Sequence, residues 1–359
     1  MASLISIPTE PIGSIPRPSD LVAAWAERHA GRLSVERFNE IADNALRDTI
    51  RRFEETGSPV ITDGEQTKSS FATYPLDGMS GLSPDGVVVP FADGHTRQLP
   101  RLTTGPFRYA TRASLYVAKA KRLTGLPVKQ AVISASALSL LYPEPGIRGY
   151  PREAFLTDLV NEAAADIRLC LEQGAHNVQI DFTEGRLSLK LDPTGALLEQ
   201  FIALNNRVLD RFSDQDRQRI GVHTCPGGDR DSTHSADVEY AGLLPALFGL
   251  HVKRFYVQMA SERDPERVLR TIREHRRPDH IVFVGVIDPI NPLVETSEEV
   301  RDRTLRAAEY IPAQFLGTTD DCGFSPFADD ASTSRDIAFQ KIRARVVGTA
   351  LAAEQVRDA

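Results

Sequence analysis

The sequence predicts one α/β domain of the (β/α)8 TIM-barrel class, spanning residues 1–359. Three observations carry that expectation. Eight short apolar runs alternate with long amphipathic stretches, no low-complexity tract or Gly/Ser linker divides the chain, and 359 residues suit one large barrel. With 41% hydrophobic residues the chain can bury a large core.

The runs stand at 12–15 (IGSI), 58–65 (SPVITDGE), 128–134 (VKQAVIS), 177–182 (NVQIDF), 219–225 (RIGVHTC), 254–259 (RFYVQM), 280–288 (HIVFVGVID) and 313–322 (AQFLGTTDDC). Each is short, apolar and closed by polar, Gly or Pro punctuation, which reads as a strand. Helical patterns follow at 35–56, 112–124, 152–173, 194–212, 236–249, 265–274, 296–309 and 333–354. The stretch 66–111 breaks the rhythm with the turn signals LDGMSG, SPDG and ADGH. It is expected to be an inserted loop or hairpin over the barrel mouth, since long loops in compact domains usually serve a site.

A net charge of −7 argues against a polyanionic partner, so nucleic acid is not expected. Nowhere do about 18 apolar residues run together as a membrane span needs, and MASLISIPTEPIGSIPRP lacks the basic start and long apolar core of a signal peptide. A cytoplasmic protein with no membrane partner is therefore expected. Three cysteines cannot build a disulfide framework. Cys170, in ADIRLCLEQG, falls on the apolar face of a helix and reads as core.

In such a barrel the chemistry gathers at the carboxyl ends of the strands. Those ends offer Ser14, Asp63, Glu65, Ser134, Asp181, His223, Cys225, Gln258, Asp288, Asp320, Asp321 and Cys322. His223 and Cys225 share a strand face because side chains alternate with period two. Cys322 ends the eighth run, across the mouth of a closed barrel from the fifth. Two thiols with an imidazole favour zinc, and three protein ligands leave a fourth position for substrate. On the pattern alone, a metal site and a chance meeting of ordinary strand-end residues both stay open.

The segments IGSIPRP (12–18), DGEQ (63–66), QIDFTEG (179–185), HTC (223–225), ASERD (260–264), GVID (285–288) and DDCGF (320–324) extend through most of the chain. Together they resemble the catalytic barrel of cobalamin-independent methionine synthase, in its short single-barrel form, within the superfamily that also holds uroporphyrinogen decarboxylase and the coenzyme M alkyltransferases. The resemblance implies zinc held by His223, Cys225 and Cys322. It also implies that Ser14, Glu65 and Asp181 grip the homocysteine backbone, and that a zinc-bound thiolate takes a methyl group to form methionine. The donor would be a methylated folate, a methyl-corrinoid protein or another small methyl carrier.

Three departures accompany the resemblance. The family's fourth zinc ligand, a glutamate, falls on Gln258. The histidine expected after GVID falls near Ile290, leaving Asp288 or a water as proton donor. The only tryptophan, Trp25, lies far from the strand-three end, where SASALSLLYPEP offers Tyr142 as a stacking residue instead. Two other reactions fit the superfamily. Thiolate opening of an epoxide would suit a sulfonate thiol, against which the acids Glu65 and Asp181 count. A metal-free decarboxylase-like or binding barrel leaves His223, Cys225 and Cys322 without a purpose.

Overall fold

The structure, a computed structural model, describes residues 7–358. Six of the expected strands are regular and parallel: β1 (Gln130–Ile133), β2 (Val178–Asp181), β3 (Ile220–Thr224), β4 (Arg254–Val257), β5 (Ile281–Ile287) and β6 (Leu316–Asp320). They pair in the order β6-β5-β4-β3-β2-β1. Nearly every residue in them is buried, as expected of parallel strands covered on both faces.

The first two runs close the circle without regular ladders. Thr9 bridges Thr318 of β6 and Ile61 bridges Val128 ahead of β1, both in parallel. Between them, Ile15 N donates to Gly64 O at 3.0 Å and Thr62 Oγ1 to Gly13 O at 2.7 Å. The expected strand at 12–15 is thus reduced to isolated contacts, and the bridge falls earlier, at Thr9. Pro8, Pro11, Pro16 and Pro59 bring no N–H to a ladder, which is why neither run becomes a regular strand.

The helix expected at 35–56 runs Val35–Thr56; Ser34 Oγ caps its start and Gly57, at φ +77°, ends it. The stretch 236–249 holds only a 3-10 turn, Tyr240–Gly242, and a short helix, Leu244–Leu247, where Gly242, Pro245 and Gly249 limit its length. The longest helices outside the expected pattern are Ser19–His29 and Glu184–Leu191. Both border the mouth of the barrel. Cys170 is fully buried in the helix Arg152–Glu172, as expected of a core residue.

The insertion at 66–111 forms two small antiparallel pairs, Leu82–Ser83 with Arg101–Leu102 and Val88–Pro90 with Thr96–Gln98. The second pair docks on the turn that follows Cys225. Ala92 N donates to Thr233 O at 2.9 Å, while Arg97 Nε and His95 Nε2 meet the fully buried Asp229 carboxylate at 2.5 and 3.0 Å. Among the described residues no helix is long and apolar enough to cross a membrane.

Candidate metal centre

His223 sits in β3 beside Asp181 of β2 and Tyr256 of β4. Its Nδ1 lies 3.3 Å from the Tyr256 carbonyl oxygen. A carbonyl only accepts, so Nδ1 carries the proton and Nε2 holds the lone pair. That Nε2 is buried and has no hydrogen-bond partner in the protein. Cys225 lies one residue past β3, and Cys322 two residues past β6. One ligand atom from each of the three lies within 4.8 Å of the others.

The two sulfurs are 3.0 Å apart, too far for a disulfide bond, and both thiols are free. The Pro226-Gly227-Gly228 loop supports them from one side. Gly227 N–H donates to Cys225 Sγ at 3.4 Å, and the Gly228 backbone bonds Cys322. Gly227 stands at φ +70°, and a Cβ there would fall 1.7 Å from His234 Nε2, so only glycine fits. Hydrogen bonding from Cys225 holds Cys322 well below the ordinary thiol range, with His223 acting in the same direction. Burial pushes Cys225 the other way. An orphaned imidazole nitrogen facing two thiols, one inclined to ionise, is a donor set that suits zinc.

A cavity of about 30 Å³ adjoins these donors, and its walls include Ser14, Glu65, Asp181, His223 and Cys322. Five of the seven side chains expected at the site therefore meet in one space, with Cys225 hydrogen-bonded to Cys322. Glu65 adopts φ +55°, unusual for a side chain with a Cβ. Arg17 Nη2 holds the Glu65 carbonyl at 2.7 Å, and Lys68 Nζ meets Glu65 Oε1 at 3.0 Å, deep in the protein. Asp181 accepts from Gln179 Nε2 at 2.7 Å, and burial raises its carboxyl to about 6. Ser14 Oγ accepts the Ser325 N–H at 3.1 Å, which leaves its own hydrogen free to donate. Gly323 makes this approach possible, because a Cβ there would lie 2.2 Å from Ser14 Oγ.

Residues 7–335 match the family described as cobalamin-independent synthase, catalytic domain. The chain belongs to this family. It is 23% identical over 367 residues to a methionine synthase of Sulfurisphaera tokodaii, covering 100% of this chain and 96% of the relative. A methionine synthase of Pyrococcus furiosus is 21% identical over 343 residues, covering 94% and 90%. A B12-independent methionine synthase from Shewanella sp. W3-18-1, solved in complex with selenomethionine, superposes with a TM-score of 0.78 at 19% identity, covering 99% of this chain and 100% of that one. That likeness shows the shared TIM-barrel fold.

In this member of the family a second cavity, of about 530 Å³, opens beside the first, and Phe71, Thr183, Gly227 and Gly228 line both. Trp25 lines the larger cavity, contrary to the expectation that it stands far from the strand-three end. The unanticipated helix Ser19–His29 carries it to the same wall as Ala137 and Leu140, which follow β1. Tyr142 does not line the cavity: its ring stacks on Phe155 and its hydroxyl donates to Tyr150 O at 2.7 Å.

Glu184, a residue the strand-end pattern does not single out, also faces the larger cavity. The hydroxyls of Ser134 and Ser136 donate to its Oε1, Oε2 is buried without a partner, and burial raises the carboxyl to about 7. The sequence signal was present in QIDFTEG. The side chain turns inward because the short helix Glu184–Leu191 starts at this residue.

Asp288 stands apart from the sulfurs. Its Oδ1 accepts from the N–H groups of Ile290 and Asn291, at 3.0 and 3.4 Å, and it lines a third cavity, of about 870 Å³, with Gln258 and Arg186. Gln258 has both amide atoms committed elsewhere: Oε1 accepts from Arg186 Nη1 at 3.3 Å and Nε2 donates to Ser261 Oγ at 2.7 Å.

Proposed function

We propose that this chain is a zinc-dependent methyltransferase that transfers a methyl group to the thiol of homocysteine, forming methionine. One observation carries the reading: a single cavity joins Ser14, Glu65 and Asp181, suited to an α-amino acid, to His223 and Cys322, suited to a metal. Family membership and the methionine synthases among its relatives support it.

Glu65 and Asp181 bring two carboxylates to this pocket, the groups suited to receive an α-ammonium. The free Ser14 hydroxyl hydrogen is suited to the amino acid's carboxylate. With the backbone gripped there, the side-chain thiol is directed toward His223, Cys225 and Cys322. Zinc, when bound by these three residues, supplies the Lewis acidity that favours the thiolate at neutral pH. In the transfer, sulfur bonds to the methyl carbon as that carbon's bond to its carrier breaks, and the electron pair leaves with the carrier. The 530 Å³ cavity, bordered by the insertion, is the space from which the methyl carrier approaches. A methylated folate, a methyl-corrinoid protein and other small methyl carriers are the candidate donors.

The test is transfer itself. Metal-reconstituted protein is incubated with homocysteine and each donor carrying a ¹³C-methyl group, and labelled methionine is measured. Labelled methionine with one donor supports the reading. Absence of homocysteine binding by calorimetry, or equal binding of a thiol lacking the amino group, overturns it.

A further inference from the structure

We propose that Asp321 is a positioning residue for the metal centre, acting through Ser261 to hold the Gln258 amide away from it. The inference rests on the zinc reading above. Asp321 directly precedes Cys322, and its backbone N–H donates to Ile287 O, at the end of β5, at 2.9 Å. Its Oδ1 accepts the N–H groups of Met259 and Ala260, both at 2.9 Å; its Oδ2 accepts the N–H and the hydroxyl of Ser261, both at 2.6 Å. Asp321 thus ties the end of β6 to the end of β5 through its backbone and to the segment after β4 through its buried carboxylate. Gly285 makes room for it, since a Cβ there would fall 1.8 Å from Asp321 Oδ1.

The direction of these bonds decides what Gln258 can do. The Ser261 hydroxyl spends its only hydrogen on Asp321, so its oxygen is left to accept Gln258 Nε2–H at 2.7 Å. That fixes the amide orientation and turns Oε1 toward Arg186 Nη1, at 3.3 Å. Arg186 is itself anchored, with Nη1 2.6 Å from Glu262 Oε1 and Nε 2.8 Å from Val238 O. An amide reaches a metal through its oxygen, and here the oxygen is engaged by a guanidinium. The chain of bonds Asp321–Ser261–Gln258–Arg186 leaves His223, Cys225 and Cys322 as the side-chain ligands and keeps a position for the substrate sulfur. Asp321 also fixes the β6 end that carries Cys322, and loss of a group that orients a metal ligand typically costs roughly 10–100-fold in metal affinity.

The experiment uses full-length wild type, Asp321→Asn and Ser261→Ala, each stripped and reloaded with Co²⁺ as a spectroscopic probe and with Zn²⁺ for chelator competition. Far-ultraviolet circular dichroism of the metal-free proteins checks folding. The expected result is a roughly 10–100-fold loss of zinc affinity in Asp321→Asn. A smaller loss is expected in Ser261→Ala, with the cobalt ligand-field bands of both variants shifted from wild type. Those bands report coordination, which a general loss of stability does not move. If both variants fold and match wild type in affinity and spectrum, the proposal is overturned; if Asp321→Asn does not fold, Ser261→Ala decides alone by the same two readouts. Wild type that binds no metal overturns the zinc reading and this inference with it. Wild-type zinc with an amide oxygen in its shell overturns only the inference.

Discussion

Cys225 Sγ and Cys322 Sγ lie 3.0 Å apart although 97 residues separate them in the chain. The barrel alone brings them together, with the unpartnered His223 Nε2 beside them. A soft divalent ion would satisfy both thiols and the unpartnered imidazole nitrogen at once. Purified protein is expected to carry about one zinc per chain by mass spectrometry. Cys322→Ser should lower affinity by more than the ~10–100-fold that follows loss of a supporting hydrogen bond. Full occupancy in that variant would remove Cys322 from the ligand set.

Gly323→Ala tests the contact that shapes the amino-acid pocket. The new methyl group would sit 2.2 Å from Ser14 Oγ, so Ser14 must move or the β6 end must yield. Overpacking of this kind costs about 1–3 kcal/mol. We expect a lower melting temperature together with weaker homocysteine binding. A variant that melts and binds like wild type would show that Ser14 is free to move without consequence.

Asp181→Asn is a cleaner probe of the ammonium grip than a change at Glu65, because Glu65 also balances the buried Lys68. Losing one partner of a buried charge pair should weaken homocysteine binding by roughly 2–5 kcal/mol. A thiol of similar length without the amino group should be affected little. Calorimetry with both thiols measures the difference, and equal losses would place Asp181 outside the recognition of the amino group.

Glu184 gives a pH prediction with a definite sign. Burial raises its carboxyl from 4.5 to about 7 in the folded protein. The folded state therefore holds the proton more tightly than the unfolded chain, and the resulting stability is fully present below about 4.5 and lost as pH rises through about 7. Glu184→Gln keeps a neutral side chain that can bond Ser134 and Ser136 at every pH. It should be more stable than wild type above pH 7 by on the order of 3 kcal/mol, with the gap closing toward pH 4.5. Urea unfolding of both proteins at pH 5 and pH 8 checks this; a gap that does not change with pH would contradict the assignment.

Local patterns in the sequence determined the barrel class, six of its strand positions, the insertion and the placing of His223, Cys225 and Cys322 at strand ends. Apolar runs of strand length and the two-residue spacing of His223 and Cys225 are local properties, readable wherever the chain goes. Family resemblance added Ser14, Glu65 and Asp181. Other features depended on contacts between distant segments. Trp25 reaches the large cavity because the helix Ser19–His29 packs over the mouth, and Glu184 turns inward because a helix starts right after β2. Asp288 faces a different cavity because the turn after β5 claims its carboxylate. Gln258 is a neutral residue in any reading of the sequence. Only the folded protein decides that its oxygen meets Arg186, because a hydrogen-bond partner far along the chain is chosen by tertiary packing and leaves no mark on the residues between them.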